Sequence, residues 1–122
     1  MAGRVLLIED EANIAEALRF ILTRDGWQVD THGDGLTALA KLRALRPDVL
    51  VLDVMLPGRS GYEILDELRA DPDLAALPVL VLTARGQERD RAIAAARGAS
   101  MFMTKPFANA EILAGLRQLV RG

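Results

Sequence analysis

The sequence predicts a three-layered α/β domain, one parallel five-stranded sheet covered by helices on both faces. Three observations lead there. Short continuous apolar runs, too brief for helices, recur along the chain; each is followed by apolar residues at helical spacing; and the alternation of the two patterns repeats to the end of the sequence. Such an alternation calls for parallel strands joined by right-handed crossovers.

Val5 to Ile8 is apolar throughout and rich in branched residues, as expected of a strand covered on both faces, and is the first strand. Ile14, Leu18, Ile21 and Leu22 follow at helical spacing, and Gly26 stands where a left-handed cap would close that helix. Trp27 to Thr31 makes the second strand, and His32-Gly33-Asp34-Gly35 a turn. Leu36, Leu39, Ala40, Leu42 and Leu45 mark the second helix, stopped before Pro47. The third strand runs from Asp48 to Asp53, with its helix near Tyr62 to Ala70. The fourth runs from Val79 to Thr83, with its helix near Glu88 to Arg97 ended by Gly98. Ala99 to Thr104 is the last strand and Glu111 to Val120 the last helix, with Ile112, Leu113, Leu116, Leu119 and Val120 as its apolar stripe and Asn109 as its expected N-cap.

With 122 residues the chain has the size of one ordinary domain. No stretch approaches the roughly 18 to 20 apolar residues of a membrane span, and the start lacks a charged-then-apolar leader, so membrane insertion is not expected. The absence of cysteine excludes disulfide frameworks, thiolate zinc sites and thiol nucleophiles. A net charge of -2 with dispersed basic residues argues against direct nucleic-acid binding. Nearly all of those bases are Arg; only Lys41 and Lys105 are Lys, so position 105 departs from the habit of the chain in using a compact ammonium.

Four apolar runs end in polar anchors: VLLI before Glu9-Asp10, DVLVL before Asp53, VLVL before Thr83, and MFMT before Lys105-Pro106. The carboxyl ends of parallel strands share one edge, where ligands bind, so these distant residues are expected to converge. Glu9-Asp10-Glu11 either solvates a helix N-terminus or shares a cation. The first and third strands of a doubly wound sheet are neighbours, which brings Asp53 beside the acid cluster, and clustered carboxylates repel unless a cation joins them. Magnesium suits such a set, taking a few carboxylate oxygens while sharing positions with water and phosphate; zinc does not, with His32 the one histidine. Asp53 either starts the turn Leu56-Pro57-Gly58 or acts as a nucleophile, since a carboxylate attacks phosphorus when a metal neutralises the incoming group. Thr83 is either a helix N-cap or a hydroxyl for a phosphoryl oxygen, with the small Ala84 leaving access open. Lys105 is either a surface lysine at a turn or the positive charge that phosphoryl transfer requires.

In this order and spacing, Glu9-Asp10, Asp53, Thr83-Ala84 and Lys105-Pro106 make the chain resemble the receiver domain of two-component response regulators across essentially its whole length. The resemblance implies a single receiver domain over residues 1–122 with the flavodoxin-like receiver fold, a doubly wound sheet in the order 2-1-3-4-5 with five helices. It implies that Asp53 accepts a phosphoryl group from a sensor histidine kinase or phosphotransfer protein. Asp10, Asp53 and the Met55 backbone carbonyl would bind magnesium, with manganese admitted in its place, and Glu9 would reach the ion through water. Lys105 and Thr83 complete the implied catalytic set, Thr83 and Phe102 the implied switch, and Ala84, Arg85 and Pro106 flank the site. The Lys105-Pro106 bond is expected to be cis.

The segments Asp53-Val54-Met55-Leu56-Pro57-Gly58, Leu82-Thr83-Ala84-Arg85-Gly86 and Thr104-Lys105-Pro106-Phe107 look most like receivers that drive winged-helix transcription factors. That subfamily dimerises through the fourth helix, fifth strand and fifth helix. Gly98 to Phe102 lacks the paired aspartates usual there, leaving Asp90, Arg91, Glu111 and Arg117 to support a variant of that homodimer. Glu9 stands where aspartate is common. The expected protein is a cytoplasmic signalling module, stand-alone or the front of a longer regulator, that catalyses only its own phosphorylation and dephosphorylation. Its rivals are a magnesium-dependent aspartyl-phosphate phosphatase of another α/β family, which would usually carry an acid where Met55 stands, and a receiver-like scaffold that takes no phosphate. A flavodoxin-like or dinucleotide-binding protein would need a phosphate-cradling loop where Glu9-Asp10-Glu11 stands.

Overall fold

The computed structural model describes residues 3–84 and 88–121. Arg85 lies outside the described residues. Five strands, β1 (Gly3–Ile8), β2 (Trp27–His32), β3 (Val49–Asp53), β4 (Val79–Thr83) and β5 (Met101–Thr104), alternate with five helices, α1 (Ala12–Arg24), α2 (Ala38–Leu45), α3 (Gly61–Ala70), α4 (Glu88–Ala96) and α5 (Asn109–Arg121). All strand pairs are parallel, and the sheet order is β2-β1-β3-β4-β5.

The continuous apolar runs are strands because both of their faces are covered: every residue of β3 and β4 is buried. Alternate side chains divide between two cores. Leu6, Ile8, Leu50, Leu52, Val79, Val81 and Phe102 face the layer built from α2, α3 and α4, while Val5, Leu7, Val49, Val51, Leu80, Leu82 and Met103 face α1 and α5. Gly26 and Gly98 close α1 and α4 with φ of +97° and +100°, the left-handed conformation that their missing Cβ permits.

Several boundaries differ from the sequence-based expectation. α2 begins at Ala38, because Leu36 lies in the preceding loop, 67% exposed. There the Asp34 side chain accepts the Leu36 N–H, holding a turn in place of a first helical turn. β2 continues through His32, in register with Ile8, instead of stopping at Thr31. β5 starts at Met101, since Ser100 turns its hydroxyl to the Val79 N–H. Asn109 is the first residue of α5 and not its cap; the Glu111 carboxylate accepts the Ala108 N–H one residue earlier. The Lys105-Pro106 bond is cis.

Candidate functional site

Backbone hydrogen bonds continue past the strand ends and fix the loops at the carboxyl edge. Glu9 N–H donates to His32 O (3.0 Å), Val54 N–H to Leu82 O (3.3 Å), Gly61 N–H to Val54 O (2.8 Å) and Lys105 N–H to Thr83 O (2.8 Å). The loop after β3 is further set by a capping box at α3: Ser60 Oγ accepts the Glu63 N–H, and Glu63 Oε1 accepts the Ser60 N–H, each at 3.2 Å. Gly61 follows, packed so tightly that a Cβ there would stand 2.3 Å from Asp53 O. Only glycine lets α3 start this close to the end of β3.

These constraints bring Glu9, Asp10, Asp53, Thr83 and Lys105 to one edge. Glu9, Asp10 and Asp53 each offer a carboxylate oxygen, and the three oxygens lie within 4.8 Å of one another. Glu9, Asp53 and Thr83 are buried, whereas Asp10 is exposed. Lys105 Nζ reaches Glu9 Oε1 at 2.6 Å and Asp53 Oδ2 at 3.5 Å. Glu9 Oε2 accepts the Glu11 N–H at 3.2 Å, so both oxygens of Glu9 are engaged. The Met55 N–H donates to Asp53 Oδ1 at 3.4 Å, while the Met55 side chain is exposed, as are Ala84 and Pro106.

Burial pushes the Asp53 carboxyl up from its ordinary 3.8 to about 7; the adjoining Glu9 carboxyl adds to the rise, and Lys105 and the Met55 N–H oppose it. Burial pulls Lys105 down, but the hydrogen bond it donates to Glu9 and the charges of Asp53 and Glu9 together carry it above its ordinary value. The result is an excess of negative charge in a mostly water-excluded pocket, which a divalent cation relieves. The donor set is all oxygen, with one exposed acid at the mouth, and this fits magnesium or manganese.

Phe102 lies on β5, its ring buried against the α2–α3–α4 core. The direct grip of Glu9 on Lys105 and the tight approach of Gly61 were not read from the sequence. The Ser60-x-x-Glu63 signature was available to signal the second; nothing local could signal the first, since the partners are 96 residues apart.

The buried Asp53 thus lies between a metal-ready acid cluster and an ammonium. The chain belongs to the response regulator receiver domain family, whose model matches residues 5–117. It is 44% identical over 117 residues to the probable transcriptional regulatory protein TcrX of Mycobacterium tuberculosis, covering 96% of this chain and 49% of that protein. It is 39% identical over 121 residues to the phosphate regulon transcriptional regulatory protein PhoB of Escherichia coli, covering 99% and 53%. The chain therefore spans about half the length of these curated relatives. Among solved structures, a putative response regulator from Chloroflexus aurantiacus superimposes with a TM-score of 0.94 at 30% identity, covering 98% of both chains. The receiver domain of a sensor histidine kinase from Pseudomonas aeruginosa, solved with magnesium coordinated in its active-site cleft, gives 0.91 at 28% identity, again covering 98% of each. The protein is thus a phosphoacceptor signalling domain, and neither family nor relatives support the phosphatase alternative. No helix among the described residues is long and apolar enough to cross a membrane.

Proposed function

We propose that Asp53 is the phosphoacceptor and that its modification changes the face formed by α4, β5 and α5. The observation that carries this reading is the buried Asp53 carboxylate, 3.5 Å from Lys105 and within ligand reach of Glu9 and Asp10. An Asp53 oxygen attacks the phosphorus of a phosphohistidine, an acyl phosphate forms, and the imidazole leaves as the P–N bond breaks. Lys105 steadies the transferred charge and Thr83, at the end of the adjacent strand, supplies a hydroxyl to it. Asp10, Asp53 and the Met55 carbonyl would hold magnesium, with Glu9 beside them, and the ion would supply positive charge to offset that of the incoming oxygens. The domain accelerates its own phosphorylation and dephosphorylation and turns over no independent substrate.

The donor is a sensor histidine kinase or phosphotransfer protein in the cytoplasm. An open groove of about 770 Å³ beside the site, lined by Ile14, Phe20, Pro106 and Phe107 among others, offers the apolar surface such a partner needs. Phe20 is 60% exposed there. Output through a second copy on the α4–β5–α5 face has less charge to draw on than the sequence suggested: Arg117 is paired with Asp25, and Glu111 accepts the Ala108 N–H. Intact mass after incubation with a small phosphodonor and magnesium tests the central step. One phosphoryl adduct is expected on the wild type and none on Asp53→Asn; an unmodified wild type, or an adduct mapped elsewhere, defeats the reading.

A further inference from the structure

Helix α4 is attached to the molecule differently from its neighbours. α3 buries Gly61, Ile64, Leu65 and Leu68, and α5 buries Ile112, Gly115 and Leu116, but α4 buries only Ala94 among the described residues. So narrow an apolar foothold gains little from burial, and polar and cationic contacts decide where the helix sits. Two of these run to α3: the Tyr62 hydroxyl donates to Asp90 O at 3.4 Å, and Arg97 lies 5.3 Å from the Tyr62 ring while pairing with Asp66 at 2.9 Å.

The third runs to the sheet. The Arg91 guanidinium lies 4.9 Å from the centroid of the Phe102 ring. Phe102 is 9% exposed, pairs in register with Val81 two residues before Thr83, and precedes Lys105 by three residues. Arg91 has no ion pair with a described residue, so the aromatic face is its one specific contact there.

We propose that Arg91 is a positioning residue of the switch: lying on the Phe102 ring, it holds that ring buried and ties the placement of α4 to the state of the phosphoacceptor site. The inference rests on the Asp53 reading above and names the residue through which α4 takes part. The receiver resemblance implies that the Phe102 ring turns inward on phosphorylation; a phosphoryl group and a guanidinium that both favour that ring position are linked, so loss of either weakens the other. The same contact occupies Arg91, one of the charges otherwise left for pairing a second copy.

Beryllofluoride with magnesium, titrated calorimetrically onto the folded protein, tests the coupling. Arg91→Met, which keeps the stem and removes the charge, is expected to weaken beryllofluoride binding about two- to fivefold, the size of an exposed cation–π contact. Arg91→Lys retains a cation and is expected to fall between. In a Phe102→Leu background the Arg91→Met effect is expected to vanish, which a general loss of helix stability would not produce. Equal affinities of wild type and Arg91→Met overturn the proposal, as does an undiminished effect in the absence of the ring. A folded wild type that binds no beryllofluoride sinks the phosphoacceptor reading and the coupling with it; a wild type that binds, beside an indifferent Arg91→Met, sinks this inference alone.

Discussion

At Asp53, burial and a neighbouring carboxyl act in the same direction, and together they outweigh Lys105. The folded-state value of about 7 lies above the ordinary 3.8, so between these values the folded protein holds a proton that the unfolded chain has released. The stability contributed by this group is fully present below the lower value and is lost as pH rises through the upper one. Asn resembles the protonated acid and carries no such penalty. Asp53→Asn is therefore expected to be more stable than wild type at pH 8, by up to about 4 kcal/mol, with the gap closing toward pH 4. Paired thermal scans across that range measure it, and a difference that does not change with pH contradicts the assignment. Lys105 does not cancel the penalty because its shorter contact is to Glu9, at 2.6 Å against 3.5 Å for Asp53. Glu9, with its longer arm, draws the ammonium to itself.

Among the elements, the junction of β3 and α3 sets Asp53 most directly. A Cβ at Gly61 would meet backbone, 2.3 Å from Asp53 O and 2.9 Å from Val54 Cα, and backbone cannot yield as a flexible side chain can. Gly61→Ala is expected to lose about 2 kcal/mol in urea unfolding and also to weaken beryllofluoride binding, because relieving the clash moves the end of β3. Gly33, across the same edge, has its nearest atom at an ordinary 3.6 Å. Gly33→Ala is expected to unfold like wild type, and equal losses at the two positions would count against the steric argument. The junction was partly legible in the sequence, since Ser60 and Glu63 stand at capping-box spacing before an apolar helix. The start of α2 was not: Leu36 fits the helical apolar pattern, yet it packs over Gly58 outside the helix, where a Cβ on the glycine would come within 2.6 Å of it. Periodicity counts an apolar residue without knowing which element covers it.

Across the whole molecule, the edge was legible because β1, β3, β4 and β5 each carry an apolar run whose first polar residue marks its exit, whereas β2 mixes polar and apolar residues and supplies no anchor. Parallel topology does the rest, bringing Asp10, Asp53, Thr83 and Lys105 together. The pairings within the edge depend on which side chains reach one another across the pocket, and the same holds for Arg91 over Phe102. One consequence of the assembled edge involves fold, proton and metal together. A divalent cation that binds only the folded arrangement stabilises it by mass action, by about 2.7 kcal/mol at a hundredfold excess over Kd. The proposed site includes Asp53, so protons would compete for the same carboxylate. With a value near 7, Asp53 is about nine-tenths ionised at pH 8 and about one-tenth at pH 6. Magnesium affinity read from thermal shifts is thus expected to fall about tenfold from pH 8 to pH 6. In Asp53→Asn the affinity is expected to be lower at both pH values and the pH dependence largely lost. Equal wild-type affinities at the two pH values would mean that the ion is held without Asp53, and the acceptor would then stand outside the metal site.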